Sequence, residues 1–309
     1  MKYKRALITG GAGFIGSHIV DALIKEGIEP VVLDDLSMGK KENIPRGVKF
    51  IKASILDDKK LHSALEGVDV VFHEAARVSI RASVSQFLSD AQVNIMGTLN
   101  LIDQLKRSKV KKLIYASSMA VYGEARSLQI AEDHTLNPTS PYGISKLAAE
   151  KYCLELVGAL GIDVVALRYF NTFGIRQTHT PYVGVITIFI NRLLENRPPV
   201  IFGNGKQIRD FISVKDVARA NILSMKRTCK KEVFNVGTGI GTSVNQIADL
   251  LLKYFGNRFS KQYAPEQLGE PGSSIADISK SRKALGFKAD IRLKENIPEI
   301  IEWIKRGKQ

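Results

Sequence analysis

Cysteine is scarce in these 309 residues: Cys153 and Cys229 are the two present, too few and too far apart for a disulfide framework, and both read as buried thiols in a reducing compartment. The five histidines are scattered, without the paired spacing a metal site needs, so no bound metal is expected. No apolar run approaches the roughly 20 residues that cross a bilayer, so no membrane span is expected. The basic start Met1 to Arg5 leads at once into Ala6-Leu7-Ile8-Thr9-Gly10, too short an apolar stretch for a signal peptide, which points to the cytoplasm. Internal repeats, low-complexity tracts and flexible linkers are missing as well. Acidic residues are also in deficit: 31 Asp and Glu against 45 Lys and Arg leave a formal charge of +14. The basic residues are spread along the chain, and clusters such as Lys40-Lys41 and 109–112 sit beside turns. They read as solvated surface with some attraction for anionic nucleotides, and no nucleic-acid partner is expected.

What remains is an ordinary globular composition, 44% hydrophobic and 25% charged, on a chain long enough for one large α/β domain with a smaller companion. Short β-branched runs at 5–8, 30–34, 49–52, 68–72, 112–116 and 163–167 alternate with helical patterns. Each run is nearly continuous in apolar residues, as strands covered on both faces require. The spacing of Ile15, Ile19 and Leu23 predicts a helix over 14–26 that stops at Gly27. Longer amphipathic stretches cover 91–106 and 142–160, the second entered through Ser140-Pro141, and either could serve a subunit contact. Beyond Arg168 the pattern loosens into turn-rich segments with shorter elements. The expected architecture is a Rossmann-type doubly wound parallel sheet over 1–170 and a smaller α/β substrate-binding lobe over 171–309, the two sharing an interface.

Gly10, Gly13 and Gly16 fall directly after the first strand and open the first helix, with Phe14 and Ile15 in its first turn. Such a turn lets a pyrophosphate approach bare N–H groups at a helix N-terminus. The second strand ends in Asp34, eighteen residues past Gly16, where a carboxylate accepts bonds from an adenosine ribose and repels a 2′-phosphate. That favours NAD, while Lys40 and Lys41 leave NADP open.

Of the nine tyrosines only Tyr142 has a lysine four residues later, Lys146, at the start of a helix, where both side chains share one face. A neighbouring ammonium and a nicotinamide cation lower a phenol from its usual pKa near 10 towards use as a base. The strand ending at Ala116 delivers Ser117 and Ser118 to the carboxyl edge of the sheet, where open α/β sheets place their ligands.

These segments resemble the extended short-chain dehydrogenase/reductase family, and within it the UDP-hexose 4-epimerases, over nearly the whole chain. The resemblance is carried by Thr9 to Gly16, His73-Glu74-Ala75-Ala76, Ser117-Ser118-Met119-Ala120-Val121-Tyr122-Gly123 and Pro141-Tyr142-Gly143-Ile144-Ser145-Lys146. Arg168-Tyr169-Phe170-Asn171 and Arg209-Asp210-Phe211 extend it. It implies Tyr142 as the base, Lys146 on the nicotinamide ribose, Ser118 on the reacting hydroxyl, and Ile55, Ala75 and Ala76 along the cofactor. His73 then lies near the cofactor and is no acid or ligand. Asn171 and Arg209 are implied as contacts of the nucleotide diphosphate, Phe202 as an aromatic beside the base, and the assembly as a homodimer through the two long helices.

Departures from the family pattern matter. Ser54 stands where an adenine-holding aspartate is usual, weakening or replacing that contact. Gln267 stands where a second phosphate-binding arginine is expected. Ser274 is small at a position that is bulky in enzymes restricted to plain hexoses, leaving room for an N-acetyl group. The reaction the resemblance implies is 4-epimerisation of a UDP-hexose or UDP-N-acetylhexosamine through a transient 4-keto sugar. The rivals are a dehydratase, 5-epimerase or reductase sharing that intermediate and, further off, a non-enzymatic NAD-binding sensor. Met119-Ala120 offers no acid or base to eliminate water, although Met119 is larger than the usual epimerase alanine.

Overall fold

The computed structural model describes residues 3–124, 127, 129–178, 184–266 and 273–307. Six strands follow one another through the first half: β1 (Arg5–Thr9), β2 (Glu29–Asp34), β3 (Lys49–Lys52), β4 (Val70–His73), β5 (Lys112–Ser118) and β6 (Asp163–Tyr169). Then come β7 (Asn171–Phe173), β8 (Val200–Phe202), β9 (Ile208–Ser213), β10 (Lys231–Val236), β11 (Gly241–Ser243), β12 (Gln262–Ala264) and β13 (Ser273–Ser274). The large sheet is parallel throughout, in the order β10-β6-β5-β4-β1-β2-β3. It is the Rossmann-like doubly wound arrangement expected. The chain reverses direction across the sheet between β1 and β4, and the carboxyl ends there open the crevice in which such sheets bind ligands.

Central strands are buried along their length, with Leu7, Ile8, Val70, Val71, Phe72, Leu113, Ile114, Val164 and Val165 all fully enclosed. β3 differs: as an edge strand its Lys49 and Lys52 are exposed and only Phe50 and Ile51 turn inward, so its short apolar run is not a doubly covered strand. The fourth strand begins two residues later than its apolar run, because Val68 and Asp69 form the turn into it and Asp69 caps the N–H groups of Lys4 and Arg5.

β10 comes from the second half of the chain and pairs with β6 from Lys231↔Val164 to Val236↔Tyr169. On one face of the sheet, Ile19, Val20 and Leu23 of helix Phe14–Lys25 pack with Val217, Ile222 and Met225 of helix Val214–Lys226, and with Phe234 and Phe287. On the other face Leu101, Ile102, Leu105, Ala149, Cys153 and Val157 cover Leu7, Leu113 and Val164. Fully burying each such aliphatic side chain contributes about 1.5–3 kcal/mol.

The helical stretch 87–105 is interrupted by a π-turn at Gln92–Met96, and the stretch that starts at Pro141 by another at Cys153–Val157. Each inserts one residue into the ladder and re-aims the side chains beyond it. The second helix starts as its sequence implies: Ser140 Oγ accepts the Gly143 N–H at 3.1 Å, and Pro141 occupies the first turn.

Lys112 corrects one expectation. It is fully buried at the start of β5, its Nζ donating to the Arg227 carbonyl, so it is a structural cation and not part of a solvated cluster. Cys153 is buried as expected, whereas Cys229 is half-buried. Among the described residues no helix is long and apolar enough to cross a membrane.

The smaller lobe is built on β9. β11 runs antiparallel to it, while β13 and β7 pair parallel with its first and last residues. Asp210 at its centre is fully buried and accepts hydrogen bonds from Thr238 N–H and Oγ1, Gly239 N–H and Ala276 N–H. One carboxylate thereby fixes β9, the turn after β10 and the segment after β13 to one another.

Candidate active site

Gly10, at φ +70°, turns the chain from β1 into the first helix; a side-chain carbon there would stand 2.7 Å from the Ala75 amide, a clash that backbone cannot relieve. A carbon on Gly16 would stand 2.3 Å from the Gly10 carbonyl oxygen. Gly13 caps the helix without a side-chain bond, leaving the first-turn N–H groups for an anion. Asp34 leans into this turn, Oδ2 accepting the Ala12 N–H at 2.9 Å and Oδ1 the Leu36 N–H at 2.8 Å. Burial raises its carboxyl against those bonds. Each oxygen keeps a second lone pair for a ribose hydroxyl. Ser54 spends its hydroxyl on the turn, accepting the Leu56 N–H. Ile55 packs on Gly97, and Ala75 and Ala76 remain partly exposed at the carboxyl end of β4. A cradle closed to side chains, with a carboxylate one strand away, fits a dinucleotide.

His73 beneath this turn is fully enclosed, and its tautomer follows from its neighbours. Thr98 Oγ1 donates to the Asn94 carbonyl, so it accepts from His73 Nε2 at 2.9 Å; Thr9 Oγ1 receives the Ala75 N–H and donates to His73 Nδ1 at 2.7 Å. The ring is therefore neutral, with burial pushing its pKa down to about 3. His18, in the first helix, is held at about 4 by burial. An unfolded histidine titrates near 6.5. The unfolded state therefore binds protons more readily between that pH and the folded values, and stability is complete above about pH 6.5 and falls as pH drops. Raised carboxyls such as Asp34 and Asp210 act in the opposite direction, so a His73→Gln comparison isolates the ring. Between pH 6 and 4 the unfolding free energy of the wild type is expected to fall more steeply than that of the variant by about 1.4 kcal/mol per pH unit. Equal slopes in denaturant titrations would refute the neutral-ring assignment.

β5 carries Ser117 and Ser118 to the carboxyl edge, where they diverge. Ser117 Oγ turns inward to Glu150 at 2.6 Å; Ser118 lies close enough to the Tyr142 phenol to favour its ionised form, and its Oγ receives the Ala120 N–H. Tyr142 and Lys146 lie one turn apart on helix Pro141–Tyr152, both buried, and Lys146 Nζ stands 4.6 Å over the Tyr115 ring. Burial pushes Lys146 down from the usual ammonium range. Burial, reinforced by the Asp90 and Glu74 charges, lifts the Tyr142 phenol to about 12. In the protein alone desolvation outweighs the bond from Ser118, so the lowering a base needs is left to the positive charge of a bound cofactor.

Several residues around this trio carry no sequence signal strong enough to single them out. Asn94, in the π-turn, receives the Arg77 N–H at 2.8 Å and donates to the Arg77 carbonyl and to Ser145 Oγ at 3.0 Å. Ser145 Oγ in turn reaches Asp90 at 2.5 Å. With Thr9, His73 and Thr98 this ties the strand under the glycine turn to the helix bearing Tyr142. Ser83 Oγ accepts the Tyr142 N–H at 3.1 Å. Glu74 accepts a bond from the Tyr169 hydroxyl at 2.8 Å. An asparagine inside a long helical pattern, a poor helix former, was the one available hint.

The smaller lobe gathers Asn171 on β7, Arg209 on β9 and Ser274 on β13 into one sheet, with Ser274 directly beside Arg209. Among the described residues Asn171 Nδ2 and Ser274 Oγ are buried polar atoms without a hydrogen-bond partner. Phe202, at the end of β8, is 38% exposed, with the Arg81 guanidinium 5.8 Å from its ring centre. Gln267 and the stretch through Gly272 lie outside the described residues. Among the described residues no group of His, Cys, Asp and Glu could hold a metal ion.

The model of the NAD dependent epimerase/dehydratase family matches residues 6–237. A protein of Methanocaldococcus jannaschii described as a putative UDP-glucose 4-epimerase is 41% identical over 305 residues, covering 97% of this chain and 98% of the relative. The UDP-glucose 4-epimerase of Thermotoga maritima, solved with UDP-glucose, superposes with a TM-score of 0.94 at 38% identity over 99% of this chain and 100% of its own. A UDP-N-acetylglucosamine 4-epimerase of Methanobrevibacter ruminantium, solved with UDP-N-acetylmuramic acid, gives 0.94 at 39% identity with the same coverage.

Proposed function

Because the chain belongs to the NAD dependent epimerase/dehydratase family, we propose that it is an NAD-dependent 4-epimerase of UDP-hexoses or UDP-N-acetylhexosamines, acting through Ser118, Tyr142 and Lys146. The observation that carries this reading is the convergence of those three side chains at the carboxyl edge of the sheet, beside a glycine turn that admits no side chain. Tyr142 takes the proton of the sugar 4-hydroxyl, Ser118 holds that oxygen, and Lys146 binds the cofactor ribose and supplies positive charge beside the phenol. The bound dinucleotide supplies a reversible acceptor for the carbon-4 hydrogen and its electron pair. The ketone then presents its other face and is returned to an alcohol, with Tyr142 giving back the proton.

Asn171 and Arg209 are proposed to hold the diphosphate while the sugar turns, the buried amide of Asn171 gaining in substrate the partner it lacks within the protein. Phe202 is proposed to flank the sugar. Ser274, small and buried beside Arg209, leaves space for an N-acetyl group, and the similarity to a UDP-N-acetylglucosamine 4-epimerase supports that choice. Met119 and Ala120 put no acid or base next to Ser118, which disfavours dehydration. Asp34 is proposed to receive the adenosine ribose, and Gly10, Gly13, Phe14, Ile15, Gly16, Ile55, Ala75 and Ala76 to line the cofactor. The cytoplasm, where NAD and UDP-sugars are held, is the proposed place of work. Incubation with UDP-glucose, UDP-N-acetylglucosamine and their 6-deoxy derivatives, followed by NMR, is expected to yield 4-epimers with no net oxidation; a dehydrated or reduced product would overturn the reading.

A homodimer is part of the proposal. Among the described residues, six of the sixteen large apolar side chains left exposed lie on two neighbouring helical stretches: Val84 (64%), Phe87 and Leu88 (75%) on one, Tyr152, Leu156 and Leu160 on the other. An unpartnered face of this kind suits a two-fold contact between copies. Light scattering is expected to give twice the chain mass, and a Leu88→Glu/Leu156→Glu variant to give a monomer. A wild-type monomer at micromolar concentration would refute the contact.

A further inference from the structure

Glu74 is a half-buried carboxyl that the proposed chemistry leaves unused. Its backbone N–H donates to the Thr9 carbonyl at 3.1 Å, directly beside Gly10, so it sits on the floor of the crevice at the carboxyl end of β4. Tyr169 donates to Oε1 at 2.8 Å and is itself held by the Asn221 amide at 2.8 Å. Tyr169 is the register partner of Ser118. The carboxyl is thus held on Tyr169 beside the carboxyl edge of the sheet with part of its surface open, and its charge acts on both Tyr142 and Lys146. A dinucleotide with its adenosine end at Asp34 and its pyrophosphate on the glycine turn runs its reactive end past Glu74 to reach Tyr142.

We propose that Glu74 is a positioning residue for the cofactor's redox balance, its carboxylate supplying the negative charge that favours the oxidised, cationic nicotinamide over the neutral reduced ring. This rests on the dinucleotide reading above. The charged and titratable groups around it are Lys146, Tyr142 and Tyr115, on which its charge acts or which act on it, and Tyr169. Burial lifts the Glu74 carboxyl well above the usual carboxylate range, and the Tyr169 hydrogen bond and then the Lys146 charge pull it back, so loss of the ring's positive charge favours proton uptake here. An epimerase must return every hydrogen it removes. A carboxylate that disfavours the reduced cofactor would keep the enzyme from stalling with the keto sugar lost.

The test is Glu74→Gln, which keeps the shape and an acceptor for Tyr169. Bound cofactor is equilibrated with a redox dye, and the reduced fraction is read from absorbance near 340 nm. At a fixed dye potential the reduced-to-oxidised ratio is expected to rise about tenfold in the variant. In the wild type the midpoint should depend on pH more steeply than hydride uptake alone requires, and in Glu74→Gln that excess should vanish. Tyr169→Phe removes a hydrogen bond that favours the carboxylate, so its ratio should fall back to that of the wild type as pH rises, whereas the Glu74→Gln ratio should stay high. A ratio within twofold of wild type in a Glu74→Gln protein that binds NAD normally overturns this inference alone, as does a Tyr169→Phe ratio that stays as high as that of Glu74→Gln at high pH. Failure of the wild type to bind NAD overturns the cofactor reading together with it.

Discussion

A Tyr142→Phe variant is expected to fold normally, bind NAD normally and epimerise UDP-sugars about 10²- to 10⁴-fold more slowly, the range a positioned acid–base group supplies. The ring should stay in place, because it is held from its backbone. Ser83 receives the Tyr142 N–H and Ser145 donates to the Tyr142 carbonyl. The phenol's own bond within the protein is to Ser118, and losing one such bond costs about 1 kcal/mol. A kcat loss with an unshifted melting temperature and unchanged cofactor affinity is therefore the signature of lost chemistry. Full activity would defeat the assignment, while an unfolded variant would show the hydroxyl to be structural. The pH profile adds a check. Burial holds the phenol near 12 in the protein alone, so the wild-type rate should rise with pH until the cofactor-bound phenol ionises, and the variant should lose that limb.

The largest loss of stability is expected at Glu150. Its two oxygens receive Arg168 Nη2 at 2.6 Å and Nε at 3.0 Å, a forked pair with both side chains almost wholly enclosed. Arg168 Nη1 also reaches the Tyr122 hydroxyl and the Glu132 carbonyl, each at 2.9 Å, and Tyr122 continues to Asn235 on β10. Removing the carboxylate with Glu150→Ala leaves a guanidinium buried without a counter-charge, a change that costs about 3–5 kcal/mol. Against a typical total of about 5–15 kcal/mol this is a large fraction. Replacing both partners, as Glu150→Leu with Arg168→Met, removes the unpaired charge and is expected to restore most of the stability. Urea unfolding of the wild type, Glu150→Leu, Arg168→Met and the double variant gives the coupling. A single-variant loss under about 1 kcal/mol would mean that water reaches the pair. Because Ser117 also bonds Glu150 and precedes Ser118, turnover in the stable double variant is expected to remain below wild type.

The parallel sheet was legible because buried strands must be apolar on both faces, and six runs of that kind marked six strands to within two residues at most boundaries. β10 was not, although Lys-Glu-Val-Phe-Asn-Val contains the right residues. Its first half is polar and half-exposed at a sheet edge, so the run of apolar residues is too short to stand out. The π-turns at Gln92–Met96 and Cys153–Val157 were invisible for a different reason: one extra residue shifts the helical phase by about 100°, less than the width of an apolar stripe. The short strands β11 and β13 adjoin segments that Asp210 ties to β9 across 28 and 66 residues, contacts that local pattern cannot show.

At the site, Tyr142, Lys146 and the glycine turn were readable because their spacing is local. Asp34 was readable as an acid at a strand end, but its bond to the Ala12 amide was not. Glu74, Asn94 and Glu150 act through partners 95, 51 and 18 residues away, and nothing in their own neighbourhoods distinguishes them. The surroundings of Tyr142 were legible only in part for a related reason: a lysine one turn away is visible in the sequence, whereas the desolvation that lifts the phenol in the protein alone exists only once the chain is packed.

The ribosome delivers the strands in chain order, yet the sheet cannot be finished until β10 emerges. Before then β6 has a bare edge, and Ile19 and Leu23 wait for a cover that residues 214–226 have yet to provide. The nascent Rossmann half is therefore sticky for as long as translation of those later residues takes, several seconds at about 5–20 residues per second. A gene cut after codon 170 would freeze that interval, releasing an aggregation-prone polypeptide and no autonomous nucleotide-binding module.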